Sequence, residues 1–319
     1  MRGDLLDRAY GCLVGGAIGD ALGAPVEGLT AREIADRHGR LTDFLSDQQI
    51  GTDDTDYAIF NALIILEHGP SATPEQVEAT WRRELLAPDR HFRRGGFSDV
   101  YAARNLARGL HAPRSGAFNQ QLWSDGVAMA IGAAGIVWPG QPERAAELAA
   151  ALGCVSNGRD GIYAGQAVAA AVAVAMVGAD PVAMTAAALA HVPPDSWTYR
   201  VLERASATAT PVALYEACVV EWYPWADIAP EAVGLAFGAL RLAQPDFADI
   251  VLTGVNFGRD ADTIGAIAGI LAGAYLGAPS IPSKWRDRVH EASGVCLGAV
   301  AGVNIRTVAE RLVAHADPG

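Results

Sequence analysis

Apolar residues recur at the three- and four-residue spacing of amphipathic helices along most of the chain, and this pattern predicts an all-α protein. Turn residues such as Gly69-Pro70, Trp138-Pro139-Gly140 and Pro193-Pro194 separate the helical segments. We expect a loop over residues 41–51 and the most irregular structure over 88–124. The predicted helices cover residues 5–22, 30–40, 57–66, 73–86, 98–110, several stretches between 127 and 192, 196–208, 213–221, 231–242, 246–255, 264–278 and a last pair within 284–312.

Two of these helices carry a glycine at every fourth position, which leaves one face without side chains. The glycines are Gly11, Gly15, Gly19 and Gly23 in the first helix, and Gly265, Gly269, Gly273 and Gly277 in the second. A face of this kind allows another backbone to approach closely. The two helices are therefore expected to pack against each other, or both against one central helix.

Acidic residues stand at the start of two predicted helices. The first acidic segment (residues 51–56) contains Thr52, Asp53 and Asp54, and the second (residues 256–263) contains Asp260, Asp262 and Thr263. Asp and Thr are also common N-caps, so each segment alone is equally well explained as a helix cap. The repetition of the pattern favours one shared site for Mg²⁺ or Mn²⁺, and so many carboxylates favour two metal ions.

A shared site also determines the expected domain organisation. A length of 319 residues allows about two domains. Because the two acidic segments lie about two hundred residues apart and must meet at one site, we expect a single compact helical domain over residues 1–319. Abundant Ala and Gly with few aromatic residues agree with closely packed helices.

Charge and cysteine content limit the classes of function and the cellular compartments that we expect for this protein. The net charge of −12 argues against broad binding of nucleic acids, which requires a basic surface. The four cysteines form no C-x-x-C pair, and the N-terminus lacks the features of a signal peptide, so a cytoplasmic protein is expected. The uncharged stretches 161–179 and 264–278 are better explained as buried helices than as membrane spans.

Glu27 is a candidate catalytic group, because it follows the first glycine-rich helix directly after Pro25. A surface charge is the ordinary alternative for a glutamate. Tyr101, Trp123 and Phe257 are candidates to stack on a base, although aromatic residues more often serve in packing.

The sequence resembles the ADP-ribosylglycohydrolase family over most of its length. The matching motifs are residues 16–23 followed by Glu27, residues 52–55, and residues 258–263 with the glycine-rich helix that follows them. The resemblance implies an all-α fold that binds two Mg²⁺ ions. It implies metal ligands at Thr52, Asp53, Asp54, Asp260, Asp262 and Thr263, and an acid/base or water-positioning role for Glu27. It also implies, by a weaker correspondence, a catalytic role for Asp99.

Two motifs depart from the family pattern on the substrate side. Residues 125–130 read Asp-Gly-Val-Ala-Met-Ala where the family has Asn-Gly-Ala-x-Met-Arg, and Ser156-Asn157 stands in place of a Thr-His pair. We therefore expect Asp125 and Gly126 to contact a changed substrate. Gly258 and Arg259 belong to the second acidic segment, where Arg259 either contacts a phosphate or is a solvated loop charge.

Three functions remain open from the sequence. The resemblance implies a Mg²⁺-dependent hydrolase that cleaves the glycosidic bond of an ADP-ribosylated substrate. An N-glycosidase for a smaller ribosylated metabolite, such as a nucleoside or an NAD-derived compound, is a second hypothesis. A non-catalytic protein similar to the lens crystallins of the family is a third, and the retained carboxylates argue against it. The sequence does not determine the oligomeric state.

Overall fold

The computed structural model describes residues 2–86, 96–220 and 225–317. The α-helices in this part of the chain are α1 (Arg2–Gly23), α2 (Ala31–His38), α3 (Asp53–His68), α4 (Pro74–Leu85), α5 (Phe97–Ala107), α6 (Arg114–Ala117), α7 (Gly132–Val137), α8 (Pro142–Gly153), α9 (Asp160–Ala175), α10 (Pro181–Ala190), α11 (Trp197–Ala207), α12 (Pro211–Cys218), α13 (Ala229–Leu242), α14 (Phe247–Val255), α15 (Ala261–Leu276), α16 (Ser283–Arg288) and α17 (Ile305–His315). Short 3₁₀ helices cover Ala24–Val26, Asp125–Ala130, Ala278–Ser280 and Gly298–Val300. Extended pairing among the described residues is limited to three isolated β-bridges. The prediction of an all-α fold in one compact domain is confirmed.

Helices α1 and α15 form the centre of the molecule and pack directly against each other in antiparallel orientation. A Cβ atom built on Gly11 would lie 2.5 Å from the carbonyl oxygen of Gly273. A Cβ atom built on Gly15 or Gly19 would lie even closer to the carbonyl oxygen of Gly269 or Gly265, respectively. The first of the two predicted packing arrangements is therefore confirmed.

Gly277 has a different function from the other glycines of its series. It ends α15 at a φ of 77°, which glycine adopts at no steric cost, and its amide donates to the carbonyl oxygen of Gly273. The interface between α1 and α15 therefore relies on the glycines that precede Gly277.

The remaining helices surround this pair. Helix α15 also contacts α9, α13 and α14, while α9 is covered by α7, α8 and α10. The segment Asp4–Val26 is long and apolar enough to cross a membrane, but most of it is buried inside the protein. This burial is typical of a core helix.

Several predicted boundaries moved. Residues 125–130 form a 3₁₀ helix where a regular helix was expected to begin at 127, and the last predicted pair is separated by a loop over 289–304. Part of the region expected to be most irregular, residues 88–95, lies outside the described residues.

Candidate active site

Helix α3 begins in the first acidic segment, and its free amide groups are bound by an aspartate of another helix. Asp20 of α1 accepts hydrogen bonds from the amide of Thr52 at 2.6 Å and from its hydroxyl at 2.7 Å. It also accepts from the amide of Thr55 at 3.1 Å and from its hydroxyl at 2.5 Å. Asp20 therefore fixes the start of α3 against α1.

The Asp20 side chain is fully buried. Burial raises the pKa of this carboxyl to about 7, while the hydrogen bonds from Thr55 and Thr52 act in the opposite direction and the charge of Asp53 adds to the increase. Asp20 was not among the predicted site residues, although it lies within the motif of residues 16–23. An isolated aspartate in the middle of a glycine-rich apolar helix is the signal that identifies it.

The start of α15 is held by the loop that follows α1. The amide of Gly28 donates to the carbonyl oxygen of Arg259 at 2.7 Å, and the amide of Arg259 donates to that of Leu29 at 2.6 Å. Gly258 lies so close to the backbone of Leu29 that a side chain would collide with it. These contacts place Glu27 beside Asp260.

Five carboxylates from three parts of the chain converge in two groups. Oxygen atoms of Asp20, Asp54 and Asp262 lie within 4.8 Å of one another, and so do those of Glu27, Asp260 and Asp262. Asp262 belongs to both groups. One oxygen of Asp54 and one of Asp262 are buried without a hydrogen-bond partner.

These carboxylates are chemically suited to hold divalent cations. Burial raises the pKa of Asp54, Asp260 and Asp262 well above the usual value for aspartate, and repulsion among the neighbouring carboxylates adds to the effect. Bound positive charge would relieve both costs, and Mg²⁺ and Mn²⁺ prefer such oxygen ligands.

Helix capping does not account for the two acidic segments. Thr52 and Asp260 occupy the N-cap positions of α3 and α15, but neither side chain makes a capping hydrogen bond. The Thr52 hydroxyl donates to Asp20 instead. The Asp260 carboxylate faces the other acids of the site.

The other predicted metal ligands lie beside these groups. Asp53 is partly exposed and lines the cleft described below. Thr263 also lines it, with its hydroxyl 3.7 Å from the sulfur of Met129. The structure thus brings Asp53, Asp54, Asp260, Asp262 and Thr263 to one site, with Thr52 bonded to Asp20 at its edge.

A cleft of about 330 Å³ opens over the two carboxylate groups, which is a volume suited to a small molecule. Its described lining consists of Glu27, Gly28, Asp53, Asp54, Gly96, Ser98, Ser124, Asp125, Gly126, Met129, Trp225, Ala226, Asp227, Asp260, Asp262 and Thr263. Glu27 is exposed here. Its pKa is raised by desolvation within the cleft and by the charges of Asp53 and Asp227.

Asp125 and Gly126, two of the predicted substrate-contacting residues, line this cleft. Asp125 is buried, with one carboxylate oxygen lacking a hydrogen-bond partner. Burial and then the charge of Asp227 raise its pKa well above the usual value. Asp227 was not predicted, because nothing in the local sequence connects it with Asp125.

Ser156 and Asn157 support the Asp125 segment. The Asn157 amide donates to the carbonyl oxygen of Ser124 at 3.0 Å and to its hydroxyl at 3.1 Å. The Ser156 hydroxyl donates to the Asn157 side-chain oxygen at 2.7 Å. In this chain the pair therefore has a structural role next to the cleft.

Asp99 lies in the first turn of α5, close to the cleft but not in its lining. The side chain is buried, and one of its oxygens has no hydrogen-bond partner. Burial, with a further contribution from the charge of Asp53, raises its pKa well above the usual value. Ser98, the residue before it, does line the cleft.

The remaining substrate candidates lie away from the described cleft lining. Tyr101 has the guanidinium of Arg104 over its ring at 5.6 Å. Phe257 is buried and stacks on Tyr215, with ring centroids 6.5 Å apart. The carbonyl oxygen of Trp123 accepts a hydrogen bond from the amide of Ala229.

Arg259 is neither a solvated charge nor part of the described cleft lining. Its guanidinium pairs with Glu231 at 2.7 Å and donates to the carbonyl oxygen of Trp225 at 2.8 Å. The side chains of Arg259 and Glu231 are largely buried, with 10% and 1% of their surface exposed. Gly258 and Arg259 therefore hold the loop before α15, and Arg259 also anchors the segment that contains Trp225.

Comparisons with known proteins agree with this architecture. A family model described as ADP-ribosylglycohydrolase matches residues 1–318. A protein of Archaeoglobus fulgidus, described as uncharacterized, is 32% identical in an alignment that covers 89% of this chain and 92% of the relative. A solved structure titled "ADP-ribosylglycohydrolase-related protein complex" superposes with a TM-score of 0.73 at 25% identity, covering 99% of this chain and all of the other.

Proposed function

We propose that this chain, which belongs to the ADP-ribosylglycohydrolase family and is a hydrolase, cleaves the glycosidic bond of an ADP-ribosylated substrate. Two Mg²⁺ ions would assist the reaction. The observation that carries this proposal is the convergence of buried carboxylates from α1, α3 and α15 beneath an open cleft. Mn²⁺ is an alternative metal, because it accepts the same oxygen ligands.

The metal ions would be held by two overlapping sets of residues. Asp20, Asp54 and Asp262 form one set, and Glu27, Asp260 and Asp262 form the other. Asp53 and Thr263 line the same cleft and would supply further oxygen ligands. When bound, such cations supply positive charge that orients oxygen ligands and lowers the pKa of water.

Glu27 is the preferred acid/base residue. It lines the cleft and is exposed there, whereas Asp99 is buried outside the described lining. Desolvation and the charges of Asp53 and Asp227 raise its pKa, which makes the carboxylate a stronger base. In the proposed reaction, water adds to the anomeric carbon, Glu27 takes its proton, and the electron pair of the broken bond leaves with the aglycone.

The direct test is calorimetric titration of ADP-ribose into the protein, with and without Mg²⁺. We expect tight binding only when Mg²⁺ is present, because the metal ions and the ribose share one cleft. The Asp262→Ala variant, which loses the ligand common to both groups, should abolish the Mg²⁺ dependence. Mg²⁺-independent binding by the wild type, or retained Mg²⁺ dependence in the variant, would contradict the shared site.

An N-glycosidase for a smaller ribosylated metabolite is the second candidate. It is favoured by the acidic lining of the cleft, to which Asp125 and Asp227 contribute. Binding of Mg²⁺ without binding of ADP-ribose would support this candidate over the first. A non-catalytic, crystallin-like role has less support, because unpaired buried carboxylates are costly to retain without a function.

We place the protein in the cytoplasm, as one domain over residues 1–319. The net charge of −12 supports a small-molecule or ADP-ribosylated substrate over broad binding of nucleic acids.

A further inference from the structure

The titratable side chains in the described lining of the cleft are all carboxyls. They belong to Glu27, Asp53, Asp54, Asp125, Asp227, Asp260 and Asp262. The proposed reaction leaves the electron pair of the broken bond on the aglycone, and an aglycone that departs through an alcohol oxygen then needs a proton. A side chain of this lining that donates the proton must therefore be one of these carboxyls.

Three of these carboxyls lie outside both groups that could hold metal ions, namely those of Asp53, Asp125 and Asp227. Asp53 is already a further metal ligand in the proposed function. Asp125 is only 3% exposed, whereas Asp227 is partly exposed. Asp227 is therefore the accessible carboxyl that the proposed metal sites do not require.

The backbone places Asp227 on a wall of the cleft that is separate from α1, α3 and α15. Ser124 and Ile228 form an isolated antiparallel β-bridge. In an antiparallel bridge the residue after one partner lies opposite the residue before the other, so Asp227 faces Asp125. Both side chains line the cleft.

Arg259 fixes the segment that carries Asp227. Its guanidinium donates to the carbonyl oxygen of Trp225 at 2.8 Å and pairs with Glu231 at 2.7 Å. Arg259 also immediately precedes Asp260 in the sequence. Asp227 is therefore held in a defined position relative to the carboxylates at the start of α15, as a group that transfers a proton requires.

The surroundings of Asp227 favour its protonated form. Burial raises the pKa of Asp227. Burial, and then the charge of Asp227, also raises the pKa of the facing Asp125. Neither carboxyl of this pair therefore releases its proton as readily as an exposed aspartate does.

We propose that Asp227 is a further catalytic residue of the cleft, the general acid that donates a proton to the leaving aglycone. The inference rests on the proposed function, because it completes the reaction assigned to the same cleft. It divides the proton transfers between two accessible carboxyls, with Glu27 as the base and Asp227 as the acid.

The reaction then balances in atoms and protons. The bond between the anomeric carbon and the aglycone oxygen breaks, and its electron pair goes to that oxygen, which takes the proton of Asp227. Water adds to the anomeric carbon, and Glu27 takes one proton from this water. Glu27 is exposed and Asp227 partly exposed, so one loses its proton to solvent and the other regains one.

The test compares two conjugates of ADP-ribose whose aglycones have similar size but different needs for a proton. Para-nitrophenol leaves as a stable anion, whereas para-nitrobenzyl alcohol must be protonated as it leaves. We expect Asp227→Asn to slow single-turnover cleavage of the para-nitrobenzyl conjugate about a hundredfold or more, and that of the para-nitrophenyl conjugate less than about threefold. Both rates are measured with Mg²⁺ on one preparation, so their ratio does not depend on the folded fraction.

Two further variants separate this role from others. Glu27→Gln should slow cleavage of both conjugates, because water must lose a proton in either reaction. Asp195→Asn is the matched control, because it removes the same carboxyl from an exposed residue outside the cleft lining, and it should leave both rates unchanged.

The outcomes that overturn the acid role differ from those that overturn the proposed function. If Asp227→Asn slows both conjugates equally, or slows neither, Asp227 is not the general acid. A wild-type protein that cleaves only the para-nitrophenyl conjugate would exclude the role as well. A wild-type protein that cleaves neither conjugate would contradict the proposed function itself, and this inference with it.

Discussion

Glu27 combines two properties that the other carboxylates of the site do not share. It is exposed to the cleft, and it belongs to one of the groups that could hold a metal ion. Its position depends on the loop after α1, where the amide of Gly28 is bonded to the carbonyl oxygen of Arg259. A proton accepted at Glu27 can therefore pass to solvent.

Replacing this carboxylate by its isosteric amide separates proton transfer from metal binding. We expect Glu27→Gln to retain Mg²⁺ binding, because Asp260 and Asp262 remain, and to lose about a hundredfold or more in turnover. Single-turnover kinetics on an ADP-ribosylated substrate and calorimetric titration of Mg²⁺ would measure the two effects. Unchanged turnover would remove Glu27 from the mechanism, while loss of Mg²⁺ binding would make it chiefly a metal ligand.

At the residue scale, the sequence predicted site residues best where an acidic motif lies at the start of a helix. Asp54 and Asp262 could be predicted because each lies in the first turn of a helix within an acidic motif. Asp227 could not, because its place beside Asp125 depends on a bridge between residues 124 and 228. The position of Arg259 likewise depends on Glu231, which belongs to another helix.

At the scale of elements, the contact between α1 and α15 determines the geometry of the site. Asp20 lies on α1 and Asp262 on α15. Their carboxylate oxygens lie close together because no side chains separate the backbones of the two helices. The sequence predicted this contact because the glycine spacing is a local, periodic signal. It did not predict the 3₁₀ helix over Asp125–Ala130, whose shape depends on tertiary contacts made by its neighbours.

A single methyl group on this interface should be strongly destabilising. A Cβ at residue 19 would collide with the backbone of Gly265, which cannot move aside as a side chain can. We expect Gly19→Ala to lower the free energy of unfolding by about 3 kcal/mol, although alanine normally favours a helix over glycine. Urea denaturation followed by circular dichroism would measure the change.

Gly158→Ala is a suitable control for this experiment. A Cβ at residue 158 would have its nearest neighbours at 3.6 Å, which is an ordinary contact distance. We expect its unfolding free energy to stay close to that of the wild type. Equal stability of the Gly19→Ala and Gly158→Ala variants would show that the two helices can separate at little cost.

At the scale of the whole molecule, the buried carboxylates couple folding to pH. Burial raises the pKa of Asp20 to about 7. Burial is also the main cause of the raised pKa values of Asp54, Asp125, Asp260 and Asp262. Between the unfolded pKa of about 4 and these raised values, the folded state binds more protons than the unfolded state. The metal-free protein should therefore lose stability as pH rises through this range.

Scanning calorimetry with EDTA should show a melting temperature that falls between about pH 5 and about pH 7.5, and Mg²⁺ should reduce this fall by replacing the lost protons. Asp262→Asn should weaken the pH dependence in EDTA, because it removes one of the raised carboxyls. Asp195→Asn makes the same change in net charge at an exposed residue, and it should leave the pH dependence of the melting temperature unchanged. A melting temperature that rises with pH in EDTA would contradict the predicted linkage.

The pairing of α1 with α15 also bears on how the molecule is made. Contacts between residues as distant as 19 and 265 give the centre of the fold a high contact order, which slows folding because a long loop must close first. A nascent chain that has emerged from the ribosome only as far as α14 holds Asp20 and Asp54 without the carboxylate that completes their group. This group of carboxylates is therefore assembled late in synthesis, when α15 docks against α1.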